Sequence, residues 1–277
     1  MTAGSAYAEC AAVTLLEGDR PRIVIALHGL TGTRAQALAL LEGFDPPEFG
    51  VLAPDLRAHG DTPLVGPAEA FTPAQLAGDV TDLVRKLGLA SRRFCVVGIS
   101  LGATVALELL RTGSLDIDAG VFVRPSHSAV PPVHLGVNEL IASYLREDPN
   151  TSLDRLLASD QYREVEAISP SGAASLRDKV TKPLSAERAM RLDSGSRWTA
   201  FRAEERVETQ VPSLVIATPR DPLHPLAVAE EWHARIANSS LVVVPSRDED
   251  PVGSSATARA AIRDFIVEKA VGRVWRP

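Results

Sequence analysis

The chain has 277 residues, 45% of them hydrophobic and 5% aromatic, enough for a substantial core built mainly on Ala, Val, Leu and Ile. Its 29 basic and 35 acidic residues leave a net charge of -6, which disfavours nucleic acid or an anionic membrane surface as a partner. No apolar run approaches the ~20 residues of a membrane helix, and Met1-Thr2-Ala3-Gly4-Ser5 shows no basic stretch leading into an apolar one, so a cytoplasmic protein is expected.

Tyr7 to Leu16 reads as an edge strand. Ile23-Val24-Ile25-Ala26-Leu27 follows as a core strand ending at His28-Gly29, then Val51-Leu52-Ala53 ending at Pro54-Asp55. Pro73 to Leu87 has helical spacing, with Thr72 as N-cap and Pro in the first turn. Phe94 to Val97 is the next strand, ending at Gly98, and Cys95 within it reads as a buried free thiol. The other cysteine is Cys10, and two cysteines make neither a disulfide framework nor a metal motif. Leu101 to Arg111 is helical. Val121-Phe122-Val123, Leu214-Val215-Ile216-Ala217 and Leu241-Val242-Val243-Val244 are three further strands, with helices over Leu226 to Ile236 and Thr257 to Lys269. Strands this uniformly apolar are buried on both faces, and their alternation with helices predicts an α/β protein with a mostly parallel central sheet flanked by helices.

The segment from Ser126 to Val211 is too long for a structureless loop. Helical stretches at Val137 to Arg146, Ser152 to Ser159, Ser185 to Leu192 and Trp198 to Glu205 predict an inserted helical cap over residues 126–211, with the core formed by 1–125 and 212–277. Such a cap would cover the carboxyl ends of the strands, where open α/β sheets bind ligands. Its large side chains, Tyr144, Tyr162, Trp198 and Phe201, suit either an apolar pocket lining or packing within the cap.

Gly98-Ile99-Ser100-Leu101-Gly102 lies between a strand and a helix. A turn that tight leaves no room for side chains flanking the serine, which is thereby lifted into the open above a helix N-terminus. With His28-Gly29-Leu30, Pro54-Asp55-Leu56-Arg57-Ala58-His59-Gly60 and Asp221 in that chain order, the sequence resembles the α/β-hydrolase superfamily, most of all its capped esterase- and lipase-like branch. The resemblance covers Arg22 to Pro125 and the chain from Val211 onward. It implies Ser100 as nucleophile and Asp221 as the acid that orients a histidine. It also implies backbone N–H groups of Leu30 and Leu101 as an oxyanion hole, and structural roles for Asp55, Arg57 and Gly60. His28 and His59 read as structural.

The superfamily's histidine normally follows the last strand. Here that loop is Pro245 to Ser255 and contains none. His224, three residues after Asp221, is the candidate replacement. His127 and His134 stand at the cap entrance and could reach the pocket as bases or, with Trp198, as substrate-binding groups. Glu249 or Asp250 could serve if burial raised its pKa, whereas His233 falls on a helix and suits packing. The first functional reading is a serine hydrolase acting on a carboxylic ester, thioester or lactone of a small hydrophobic molecule. The alternatives are a cofactor-free lyase or cyclase in small-molecule biosynthesis, or a non-catalytic binding protein on the same fold. No metal or cofactor is expected, since neither a metal motif nor a dinucleotide fingerprint occurs.

Overall fold

The computed structural model describes residues 3–16, 20–181 and 186–271. The chain opens differently from its sequence reading: Ala3–Cys10 is a helix (α1), and only Val13–Leu16 (β1) is a strand. Small helix-tolerant residues dominate the opening segment, and Tyr7 anchors it, fully buried with its hydroxyl donating to the Asp55 carbonyl at 3.1 Å. The six core strands are β2 (Arg22–Leu27), β3 (Phe49–Pro54), β4 (Arg93–Ile99), β5 (Ile117–Val123), β6 (Ser213–Ala217) and β7 (Ser239–Val243). The sheet order is β1-β3-β2-β4-β5-β6-β7, parallel throughout except for β1, which runs antiparallel along β3.

Helices α2 (Arg34–Ala39), α3 (Pro73–Lys86) and α4 (Leu101–Thr112) connect the early strands. Thr72 caps α3 as expected, its hydroxyl accepting from the Gln75 N–H at 3.2 Å. Between β5 and β6 come α5 (Gly136–Glu147), α6 (Ser152–Ala158), α7 (Asp160–Ile168), α8 (Pro170–Thr181) and α9 (Ala186–Gly195), and the core closes with α10 (Leu226–Arg235) and α11 (Pro251–Ile266). Ser185, where one helix was expected to begin, lies outside the described residues.

Alternate strand residues point to opposite faces. Ile23, Ile25, Phe94, Val96 and Val215 pack with α3, α4 and α10 on one side. Val24, Ala26, Cys95, Val97 and Ile216 pack with α2 and α11 on the other. Both faces are covered, which is why these strands read as unbroken apolar runs. Cys95 is fully buried and burial pushes its thiol pKa up, as suits an inert packing residue.

Helices α5 to α9 share an apolar cluster of their own, built on Ile141, Leu145, Leu156 and Leu176, which also takes in Leu223 and touches Leu30. Two of these helices, α7 and α8, were not foreseen. Trp198 to Glu205, expected as helix, is irregular instead. Its aromatic residues are claimed separately: Trp198 packs on Phe71 and Phe201 on Trp232, while Ala200 N–H donates to Ser128 O at 2.8 Å. Tertiary anchoring overrides a modest local helix preference there.

Below the sheet's carboxyl edge the segment after β3 is held by two buried acids. Asp55 accepts from Arg34 N–H at 2.5 Å and Asp61 N–H at 3.0 Å, and pairs with the Arg34 guanidinium. Gly60 sits at φ +53, and a Cβ there would lie 2.2 Å from Asp55 Oδ2. Arg57 is fully buried and pairs through two nitrogens with Asp79 of α3, at 2.5 and 2.8 Å.

Candidate active site

Ser100 follows the last residue of β4 and immediately precedes α4. Its backbone is at φ 55, ψ -114, a conformation that a non-glycine residue holds only when its surroundings enforce it. The enforcement is visible in the flanking glycines. A Cβ on Gly98 would lie 2.1 Å from Gly102 O, and one on Gly102 would lie 2.3 Å from Leu27 O, so strand and helix meet backbone to backbone. Gly102→Ala is therefore expected to cost about 2–3 kcal/mol of stability, read from the midpoint of chemical denaturation. Three more non-glycine residues with positive φ border the same region: Thr31 (64), Arg124 (45) and Arg220 (57). The strain is concentrated at the carboxyl ends of β2, β4, β5 and β6.

Asp221 and His224 occupy one turn after β6. Asp221 Oδ1 accepts from the N–H groups of Leu223 at 3.1 Å and His224 at 3.2 Å, which fixes the turn. Its Oδ2 faces His224 Nδ1 at 3.0 Å, and His224 Nε2 lies 3.1 Å from Ser100 Oγ. An imidazole donating from Nδ1 to a carboxylate presents an unprotonated Nε2 to the serine hydroxyl. Burial pushes the His224 pKa below its usual range, Asp221 pulls against it, and Arg124 and Arg247 lower it further. Burial would raise Asp221, but His224, Arg124 and Arg247 together more than offset this and hold the carboxyl below the ordinary carboxylate range. The charge pattern is thus a neutral imidazole against an ionised acid.

His28 is buried behind the loop that follows β2. Its Nδ1 lies 2.8 Å from Gly29 O, while its Nε2 accepts from Leu56 N–H at 3.0 Å, so Nδ1 carries the proton and donates. Gly32 N–H also reaches Gly29 O, at 2.9 Å. In a trans peptide the carbonyl and the next N–H point opposite ways. Holding Gly29 O from behind therefore turns Leu30 N–H forward. Leu30 and Leu101 both line the cavity at Ser100, and among the described residues neither N–H has a hydrogen-bond partner.

A strained serine between a parallel strand and a helix, facing an imidazole backed by a carboxylate, invites comparison with known proteins. The model of the alpha/beta hydrolase family matches residues 24–262. The chain belongs to this family. Over 91 residues it is 34% identical to the RutD protein of Enterobacter cloacae, a protein named for carbamate hydrolysis; the match spans 33% of this chain and 33% of that relative. Among solved structures, a thermophilic esterase from Thermogutta terrifontis is 20% identical with a TM-score of 0.67, covering 93% of each chain. An esterase from Exiguobacterium antarcticum is 15% identical with a TM-score of 0.68, covering 92% of this chain and 95% of that one. These structural likenesses establish the alpha/beta hydrolase fold.

Within that family framework, the cavity at Ser100 has a volume of about 330 Å³ and lies between the strand ends and helices α5, α8 and α9. Its lining includes Trp198 and His127, but His134 is not part of it. His134 Nε2 is occupied by the Ser126 carbonyl at 2.9 Å. His127 is buried; its Nε2 donates to Gly195 O at 2.7 Å, and its Nδ1 accepts from the hydroxyls of Thr104 (3.1 Å) or Ser126 (3.2 Å). Burial lowers its pKa to about 4, so it is a neutral bridge between α4 and the last residue of α9. Glu249 pairs with Arg220 at 3.1 Å and Asp250 caps α11 at 2.8 Å, so neither faces the serine. His233 Nδ1 lies 3.0 Å from the hydroxyl of Ser239, the first residue of β7.

An apolar pocket lining does not result. Tyr162 and Phe201 are each 2% exposed and spent on packing, and Tyr144 lies under Arg155. The cavity wall is instead dominated by polar groups such as Thr31, Gln36, Asn138, Ser175 and Lys179. Sequence reasoning also passed over Ser126, whose hydroxyl lies 3.3 Å from Ser100 Oγ, and over Arg124 and Arg247, which flank Asp221 Oδ2 at 3.3 and 3.8 Å. Arg247 comes from the loop after β7, where the family's histidine ordinarily stands.

Proposed function

We propose that the protein is a serine hydrolase cleaving a carboxylic ester, thioester or lactone of a small molecule, with Ser100 as nucleophile, His224 as general base and Asp221 as the orienting acid. The observation that carries this reading is the unbroken relay from Asp221 Oδ2 to His224 Nδ1 at 3.0 Å and from His224 Nε2 to Ser100 Oγ at 3.1 Å. Ser100 Oγ attacks the carbonyl carbon while its proton passes to His224 Nε2. The developing oxyanion takes hydrogen bonds from Leu30 and Leu101 N–H. The imidazolium, stabilised by Asp221, returns its proton to the leaving oxygen or sulfur, and an acyl-serine remains. Water then attacks, deprotonated by the same nitrogen, and the acid leaves.

Residues 126–211 serve in this reading as a cap that shapes the pocket, over a core of residues 1–125 and 212–277. No described helix is long and apolar enough to cross a membrane.

The test is labelling by a fluorophosphonate probe. Wild type is expected to label, and Ser100→Ala and His224→Ala are expected to lose the label. Labelling unaffected by Ser100→Ala would defeat the reading, as would no labelling of folded wild type. The pH profile offers a second check. Activity needs neutral His224, so it is full above the histidine pKa and is lost as pH falls through it. Because that pKa is lowered, the acid limb of kcat/KM should have its midpoint below the ordinary histidine value of about 6.5. Arg247→Gln removes one of the lowering charges and should move that midpoint upward.

A further inference from the structure

The guanidinium groups beside the relay exceed what the relay needs. Arg124 reaches Asp221 Oδ2 with one nitrogen at 3.3 Å, and Arg247 reaches the same oxygen with one nitrogen at 3.8 Å. Among the described residues these are the ion pairs that each makes, and Arg247 makes no hydrogen bond. Within ion-pair distance one carboxylate thus faces two guanidinium groups; Asp248, next in the chain to Arg247, attracts it from farther away and is itself held by the Ser169 hydroxyl and the Ser171 N–H, so about one unit of positive charge has no acid in contact. Both side chains are largely covered, at 17% and 33% exposure. Both line the cavity at Ser100. They also form part of the wall of an adjoining cavity of about 230 Å³, whose lining includes Thr218, Ser254 and Ser255 and no acidic side chain. Burial, and then the like charge of Arg247, push the Arg124 pKa down to about 10, while Asp221 pulls it up. A surplus cation held out of water is costly unless an anion meets it. It is also out of keeping with a chain whose net charge is -6.

The surplus is near a single charge, because Lys179, the other cation of the cavity wall, stands beside Asp178 in the same lining and donates to Asn138 Oδ1 at 2.6 Å. A carboxylate matches one surplus charge and the planar fork of a guanidinium; a phosphate dianion leaves excess negative charge.

We infer that the substrate carries a carboxylate in addition to its scissile ester, and that Arg124 and Arg247 hold this carboxylate beside Ser100. The natural substrate class is then a half-ester, or half-thioester, of a small dicarboxylic acid. This deepens the hydrolase reading and rests on it for the cleavage step, but not for binding.

The experiment compares ethyl hydrogen glutarate with ethyl valerate, in which a methyl group replaces the carboxylate. In wild type kcat/KM should favour the half-ester by about tenfold or more, the scale of one charge-assisted contact. Arg247→Gln and Arg124→Gln should collapse this ratio, mainly through KM for the half-ester, and Arg247→Lys should keep part of it. The ratio within each variant cancels any effect of the substitution on the relay. Equal rates for both esters in wild type, or a ratio unchanged in Arg247→Gln, would overturn the inference. Calorimetric titration of Ser100→Ala with the same two esters separates the two readings. Binding of the half-ester but not of ethyl valerate, with no turnover of either by wild type, leaves the carboxylate site standing and removes the hydrolase. Turnover of both without preference, and no selective binding, does the reverse. Competition by inorganic phosphate stronger than by glutarate would assign the arginines to a phosphate instead and overturn the carboxylate.

Discussion

Replacing His224 by alanine is expected to lower kcat by about 10⁶-fold with little change in KM for a small ester. The side chain touches both partners of the relay, and nothing nearby can take its place. His127 has both ring nitrogens engaged, with Gly195 O and with the Thr104 and Ser126 hydroxyls, and His134 is tied to Ser126 O. Asp221→Asn should fall by about 10⁴-fold. An amide can donate to Nδ1, which favours the tautomer with the proton on Nε2, facing Ser100 and unable to accept. Because these residues act as a unit, Ser100→Ala combined with His224→Ala should be no slower than Ser100→Ala alone. Steady-state kinetics on folded variants, checked by circular dichroism, reads all three. Activity of His224→Ala within about tenfold of wild type would remove the histidine from the mechanism.

Arg57→Ala is expected to destabilise the fold by about 3–5 kcal/mol, the usual result of leaving a buried charge without its partner. Arg57 and Asp79 are both fully buried, and Arg57 also donates to Val65 O at 2.8 Å. Burial raises the Asp79 pKa despite its pairing with Arg57 and its contact with Gln75. Desolvation therefore exceeds the gain from the partners, and the pair adds little net stability while being expensive to break. The double variant Arg57→Met with Asp79→Leu should accordingly recover most of the loss. Urea denaturation of the two single variants and the double one measures the difference. A loss in the double variant equal to the sum of the single losses would show instead that the two side chains contribute independently.

The parts of this fold that were legible in the sequence are those where local pattern and tertiary packing agree. The six core strands declared themselves because burial on two faces requires unbroken apolar residues, and the turn at Ser100 because only glycine fits where β4 and α4 touch. Trp198 to Glu205 misled because its aromatic residues are drawn apart by Phe71 and Trp232, contacts distant in sequence. The helices α7 and α8 carry polar-rich stretches whose buried faces exist only against each other and against α5 and α6. At the site, Ser100, Asp221 and the candidate His224 could be named from motif and order. The short distances that join them could not, since they depend on the register of β4 against β5 and of β5 against β6. Arg124 and Arg247 gave no sequence signal. One directly follows a strand and the other lies in an acidic loop, and their convergence on a single carboxylate exists only in three dimensions.

The proposed acid and base, Asp221 and His224, share one four-residue turn. When a histidine comes from the loop after the last strand, three separate chain segments must stay in register for the relay to survive. Here two suffice, the elbow at Ser100 and the turn at Asp221 to His224. The chain beyond Pro245 is thereby released from holding the base. Transient opening of α11 against the face of the sheet it covers, the kind of excursion that amide exchange detects, would leave that proton path closed and loosen the loop that carries Arg247. In the proposed reading such opening bears on what the pocket selects and on the acid limb that Arg247 helps to set, not on the relay itself.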